Sequence, residues 1–167
     1  TFLIESFGAF LFETDQFLIE FSSLGGQISS LQLKNHFNYL GDPINLIKLN
    51  NSSFDIDFLT KNGKTFNTKN QFFTSTLINK GSEKILQMKL NVSDDVFLKY
   101  TYTINDNAFV INLDIESSGF KNILDTDQEY NLVWELDALR NSKSIDYENR
   151  YSYLTFYYDK AKIDYLA

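Results

Sequence analysis

Residues 85–115 read ILQMKLNVSDDVFLKYTYTINDNAFVINLDI, and three consecutive strands can be read off them. Leu86, Met88, Leu90 and Val92 share one face, against Gln87, Lys89 and Asn91. Asp94-Asp95 breaks the pattern. Val96, Leu98, Tyr100, Tyr102 and Ile104 then alternate with Phe97, Lys99, Thr101 and Thr103. After the polar Asn105-Asp106-Asn107, Phe109, Ile111, Leu113 and Ile115 make the next inward face. A period of two is the side-chain repeat of a strand with one buried face. Breaks this short join antiparallel neighbours. The stretch predicts a β-meander.

The same reading extends outward. Ala9–Glu13 and Gln16–Phe21 are strand-like, with Thr14-Asp15 as a tight turn between them. Gly25-Gly26 then forms a corner, since adjacent glycines reach φ > 0 at no steric cost. In the strand that follows, Ile28 and Leu31 have opposite parity. A local irregularity near Ser29-Ser30 is expected to bring them to one face. Gly41, Asp42 and Pro43 supply turn chemistry, and Ile44–Leu49 is a short apolar run. Ser53–Leu59 sets Phe54, Ile56 and Phe58 against Asp55 and Asp57. Asn62-Gly63 is a hairpin turn signal, and Phe72–Leu77 is a further strand. Tyr130–Leu136 alternates Tyr130, Leu132, Trp134 and Leu136; a helix through Leu132, Leu136 and Leu139 competes with the strand reading. Arg140–Arg150 reads as a polar loop, and Lys162–Leu166 as a last short strand. Strand-like runs at this spacing, without a long helical period, predict an all-β, mainly antiparallel fold. No interior domain boundary is visible in residues 1–167.

Composition narrows the class. A chain of 167 residues is long enough to bury a core, and 16% aromatic content favours strands. The formal charge of −7, with no cluster of Lys or Arg, speaks against a nucleic-acid partner. The absence of cysteine removes disulfides, zinc ribbons and thiol nucleophiles. No apolar run approaches the ~18 residues of a spanning helix. The chain opens in an apolar segment without an initiator methionine, so it is expected to be a piece of something longer.

Catalytic constellations are hard to assemble. His36 is the single histidine, so any Ser-His-Asp triad would have to use it, and its neighbours Asn35, Phe37 and Asn38 point to a surface histidine instead. Asp125, Asp127 and Glu129 begin like a calcium loop, yet the required glycine and glutamate are replaced by Tyr130 and Leu136. Asp55 with Asp57, and Glu135 with Asp137, have the spacing of a carboxylate pair, about 6.5–7 Å along a strand. A polar strand face gives the same spacing. No catalytic, cofactor or metal site is expected.

One stretch resists the alternating scheme. Tyr151–Tyr158, YSYLTFYY, is aromatic on both faces: Tyr151, Tyr153 and Tyr157 on one, Leu154, Phe156 and Tyr158 on the other. It is either central between layers or an exposed surface used for docking. In the second case Tyr151, Tyr153, Phe156 and Tyr157 are the partner-contact candidates.

Together these stretches resemble the first extracytoplasmic domain of the YidC family of bacterial membrane protein insertases, in a Bacteroidetes-like version. The resemblance rests on Gly25, Gly26 and Ile28 leading to Leu31, Leu33, Lys34 and Tyr39; on Pro43, Ile44 and Leu46; on the Tyr100–Ile115 meander; on Leu132 and Trp134; and on Glu148, Ser152 and Tyr157. It implies a twisted β-sandwich, the β-supersandwich similar to galactose-mutarotase-like domains, of which residues 1–167 would be an N-terminal portion. It implies a periplasmic location at the inner membrane and a non-enzymatic interaction or scaffold role. The full-length relatives assist insertion and folding of membrane proteins, with nascent membrane proteins and auxiliary subunits of the Sec translocon as partners. A carbohydrate-binding or carbohydrate-active mutarotase-like domain is the competing reading: tyrosines and Trp134 can stack on a pyranose, although mutarotase-type chemistry, by that likeness, uses more histidines than His36.

Overall fold

The computed structural model describes residues 5–6, 8–48, 50–124, 131–158 and 162–166, with the backbone alone at 5–6, 122, 154, 156–158 and 166. The strands in chain order are β1 (Glu5–Ser6), β2 (Ala9–Glu13), β3 (Phe17–Ser22), β4 (Gln27–Phe37), β5 (Pro43–Ile47), β6 (Ser52–Leu59) and β7 (Thr65–Asn67). They continue as β8 (Thr74–Lys80), β9 (Glu83–Ser93), β10 (Val96–Asn105), β11 (Ile111–Ser118) and β12 (Asn131–Leu136). A short helix, α1 (Ile145–Tyr151), precedes β13 (Leu154–Tyr158) and β14 (Lys162–Leu166). All the pairings are antiparallel, in sheets ordered β1-β2-β3-β4-β5, β11-β10-β9-β8, β12-β6-β7 and β13-β14. This is an antiparallel all-β sandwich, as the period-two runs predict.

The meander forms as read, with Tyr100 opposite Met88 on one side and Ile115 on the other. Leu86, Met88, Tyr100 and Ile104 are fully buried, and with Ile19 and Phe21 from β3 they make one core between the two larger sheets. The Phe21 and Tyr102 rings meet at 4.8 Å across it. The sheet of β12, β6 and β7 joins the same core through Phe54 on Tyr100 at 5.6 Å and Phe58 stacked on Phe120 at 5.3 Å.

The Gly-Gly corner is where the layers are tied together. The expected irregularity is a bulge: Glu20 pairs with Ser30 but Phe21 with Ile28, which leaves Ser29 as the extra residue. Its hydroxyl donates to the Glu20 carbonyl at 3.2 Å. Gly26, at φ 62°, turns the chain beneath the Phe73 ring, and the Tyr102 hydroxyl donates to its carbonyl at 2.8 Å. Gly25 N–H donates to the Gln71 carbonyl and Phe73 N–H to the Ser23 carbonyl, so residues 71–73 pair with the corner. That is why β8 begins at Thr74 and leaves Phe72 exposed outside it.

Three expectations need correcting. Phe109, Ile111, Leu113 and Ile115 form an inward face only in part: Ile111 and Leu113 pack half-buried against the core, whereas Phe109 precedes β11 and is 54% exposed, and Ile115 is 39% exposed. β11 is the outermost strand of its sheet among the described residues, and the layer opposite covers its inward side only in part. Arg140–Arg150 is not all loop, because Ser144 caps α1 by accepting the Tyr147 N–H, Asp146 and Glu148 sit in the first turn and Arg150 in the last. Tyr151 therefore ends a helix and does not share a strand face with Tyr153 and Tyr157. Asp55, assigned to a polar face, is buried, because the turn at Thr68–Asn70 covers that side of β6. For residues 131–136 the strand reading prevails over the helix, with Trp134 opposite Phe54; Tyr130 lies outside the described residues.

Candidate functional site

Two surfaces collect the unpaired apolar side chains. The first is a groove of about 540 Å³ between the β3–β5 layer and β11, closed at one end by β6 and β12. Ile28, Leu31 and Phe54 form its floor, Ile111 and Leu113 one wall, and Trp134 the facing rim. It is open because, among the described residues, Ile111 and Leu113 are covered only in part. Trp134, 65% exposed, is held at the rim by an Nε1–H bond to the Ser52 hydroxyl at 3.3 Å.

Several polar atoms of the lining are already engaged. Gln27 Oε1 accepts the Phe54 N–H at 2.9 Å, Ser52 accepts from Trp134, and the Tyr102 hydroxyl is spent on Gly26. Burial first, then the neighbouring Tyr100, pushes the Tyr102 phenol well above its ordinary range, so it stays a neutral donor. A groove walled mainly by apolar side chains suits apolar side chains. It offers little to the hydroxyls of a sugar, whatever stacking Trp134 could add.

The second surface follows β12. Asn51 clamps the exit of that strand, accepting the Asp137 N–H on its carbonyl at 2.7 Å and donating from Nδ2 to the Asp137 carbonyl at 2.9 Å. The chain then passes Tyr39, whose ring lies under Arg140 at 5.4 Å, and enters α1. The Glu148 carboxylate accepts the Asn141 N–H at 2.9 Å and the Ser142 N–H at 3.3 Å, which fastens α1 to this entry. Of the partner-contact candidates, Tyr151 and Tyr153 are 60% and 58% exposed. Tyr151 packs on Tyr147 at 4.6 Å, and Tyr153 on Tyr165 at 6.0 Å. Phe156 and Tyr157 lie on β13, and their side chains fall outside what is described. β13 pairs with β14 alone among the described strands.

The other sequence candidates are structural. His36 is exposed, its Nδ1 bonded to the Lys34 carbonyl at 2.8 Å and its ring edge-on to Phe109. Asp55 accepts from the Thr68 hydroxyl and the Lys69 N–H, each at 3.0 Å, with the Lys69 ammonium at 3.4 Å. Desolvation alone would raise its pKa, but these donors outweigh it and hold the carboxyl below its usual range. Asp57 accepts from the Asn67 amide. The pair is committed to the turn it holds. The acidic stretch Asp125, Asp127 and Glu129 lies outside the described residues. Among those described, no group of His, Asp and Glu side chains is arranged to hold a metal ion, and no helix is long and apolar enough to cross a membrane. The groove itself had no distinct signal, since its walls read as ordinary inward strand positions.

Comparison with known proteins agrees with this geometry. The family model described as the YidC periplasmic domain matches residues 10–166. Among curated proteins, the membrane protein insertase YidC of Chlorobaculum parvum is 32% identical over 130 residues, 74% of this chain and 22% of that protein. Those of Azobacteroides pseudotrichonymphae and Parabacteroides distasonis are 27% and 25% identical over 83% and 93% of the chain, and 22% and 24% of their own lengths. The chain thus spans about a quarter of the length of the curated relatives it matches. No solved structure matches it significantly. With a family match running from β2 to β14, the chain belongs to the YidC periplasmic domain family, a non-catalytic family at the periplasmic face of the inner membrane.

Proposed function

We propose that residues 1–167 act as a β-sandwich domain, or a portion of one, that serves an inner-membrane protein insertase as an interaction scaffold. In that role it assists the insertion and folding of membrane proteins, touching nascent membrane chains and auxiliary subunits of the Sec translocon through the aromatic segment of Tyr151, Tyr153, Phe156 and Tyr157. The observation that supports this reading is the segment itself. Tyr147, Tyr151, Tyr153 and Tyr165 are each about 60% exposed, on a helix and hairpin joined to the sandwich through the Asn141 end. Exposed large aromatic side chains are what transient protein partners bury.

The experiment is site-specific photocrosslinking in the full-length protein in membranes. A benzophenone side chain replacing Tyr151 or Tyr153 is expected to form adducts with a radiolabelled nascent membrane protein or a Sec subunit. The same group replacing Gly63, in the β6–β7 turn, serves as the control. Adducts no more abundant than those of the control would overturn the assignment of this surface.

A further inference from the structure

We propose that Lys84 is a latch between the two larger sheets: its ammonium holds the β2–β3 turn against the β10–β11 turn, and releasing it opens that end of the sandwich while the rest stays assembled. Lysine is out of pattern at this position. Lys84, Leu86, Met88 and Leu90 alternate along β9 and are all buried, so residue 84 takes an inward place that a further apolar side chain could fill. Ile104, its partner on β10, is fully buried, and so is Phe12 near the end of β2.

Just beyond this last apolar layer three turns meet. The Lys84 ammonium donates to the Asp106 carboxylate, on the β10–β11 turn, and to the Glu13 carbonyl at 3.3 Å, where β2 runs into its turn. The Asp106 carbonyl accepts the Asp15 N–H at 3.2 Å, and the Asp106 N–H donates to the Ser82 carbonyl at 2.9 Å in the β8–β9 turn. Asp106 is thus tied to the other sheet twice, directly through its carbonyl and by way of Lys84 through its carboxylate. On the far side of the same turn, Lys34 takes the Thr14 carbonyl at 3.0 Å and the Glu13 carboxylate at 2.8 Å.

Apolar burial is non-directional and tolerates small slips of one sheet on the other; an ammonium shared between a carbonyl and a carboxylate tolerates very little. Taking charges out of water also offsets much of what their pairing returns, so a buried pair adds little net stability while favouring one arrangement. The opposite end of β3 is tied differently. There the Gly25-Gly26 corner is joined by hydrogen bonds between neutral groups and by the Phe73 ring against Gly26. Cutting Lys84 therefore frees one end and leaves the other closed. All the latch contacts lie within residues 12–106, so chain or partner packed outside them can bury the latch further but does not supply it.

The test uses the full-length protein in detergent, with backbone hydrogen exchange read residue by residue by mass spectrometry. Lys84→Met keeps the length of the side chain and removes its charge. Combining it with Asp106→Asn also removes the carboxylate that the single variant strands. In both, exchange of the Asp15 N–H is expected to rise about tenfold, while Met88 and Tyr100 stay within about twofold of the parent. Unchanged exchange at Asp15 would overturn the proposal, since the contact would then hold nothing. An equal rise at Met88 and Tyr100 would also overturn it, by making Lys84 a support of the whole fold. So would parent-like protection in the double variant, which would trace the opening to the stranded Asp106 charge.

Discussion

Replacing Gly26 by alanine tests whether the corner between β3 and β4 is a close-packed joint between layers. Two costs add. Gly26 sits at φ 62°, where an L-residue pays about 1–2 kcal/mol. A Cβ built there lies 2.9 Å from Cγ of Phe73 and 3.0 Å from its Cδ1. The ring has nowhere to go: Phe73 is buried and stacked on Tyr100 at 4.9 Å. Overpacking of this kind costs about 1–3 kcal/mol. Alanine's smaller unfolded-state entropy returns about 0.4–1 kcal/mol, so the expected net loss is about 1–4.5 kcal/mol.

Gly81, in the β8–β9 turn, is a matched control. Its φ is 64°, and nothing lies within 4 Å of the Cβ position. Gly81→Ala therefore carries the backbone term alone, about 0–1.5 kcal/mol after the same entropic return. Equilibrium urea unfolding of both variants, followed by far-UV circular dichroism because exposed Trp134 reports poorly on the core, measures the difference. Phe73→Leu combined with Gly26→Ala should recover part of the loss, since the two sites touch. Equal destabilisation of the two glycine variants would refute the reasoning, for the steric contact would then contribute nothing.

Two further predictions concern buried polar groups. Tyr102→Phe strips the donor from the Gly26 carbonyl and should cost about 1–3 kcal/mol in the same assay. Tyr100→Phe, two residues along the same strand face, should cost less, because among the described residues its buried hydroxyl makes no well-aligned hydrogen bond; burial pushes that phenol up to about 12, the Thr68 hydroxyl lowering it and the Asp55 charge raising it. If the two losses are alike, the assigned bond between layers is wrong. Asp55 makes stability depend on acid. Its folded pKa lies below the unfolded value of about 3.9, so its contribution is fully present above that value and fades as pH falls through the folded pKa. Urea midpoints from about pH 6 down to about pH 2.5 should fall less steeply in Asp55→Asn than in the parent chain, and parallel profiles would remove Asp55 as a cause.

What could be read from the residues follows what local chemistry encodes. The meander was legible because Leu86, Met88, Tyr100 and Ile104 alternate without interruption and are all fully buried. The bulge at Ser29 was legible for the same reason, since Ile28 and Leu31 can share a face only if one residue is added between them. Parity says which residues share a face, but it does not say whether another layer lies against that face. Ile111 and Leu113 carry the same pattern as Leu98 and Tyr100, and only the order of strands leaves the first pair at an open groove and the second in the core. Asp55 fails in the opposite sense: its covering arrives with Thr68, 13 residues later, through a turn that no strand period announces. The helix α1 was announced, by Ser144, Asp146, Glu148 and Arg150 in capping order, but it buries no residue and so has no apolar stripe. The groove was invisible for a sharper reason than any of these. It is a place where inward positions go unpaired, and unpaired inward positions are spelled with the same residues as paired ones.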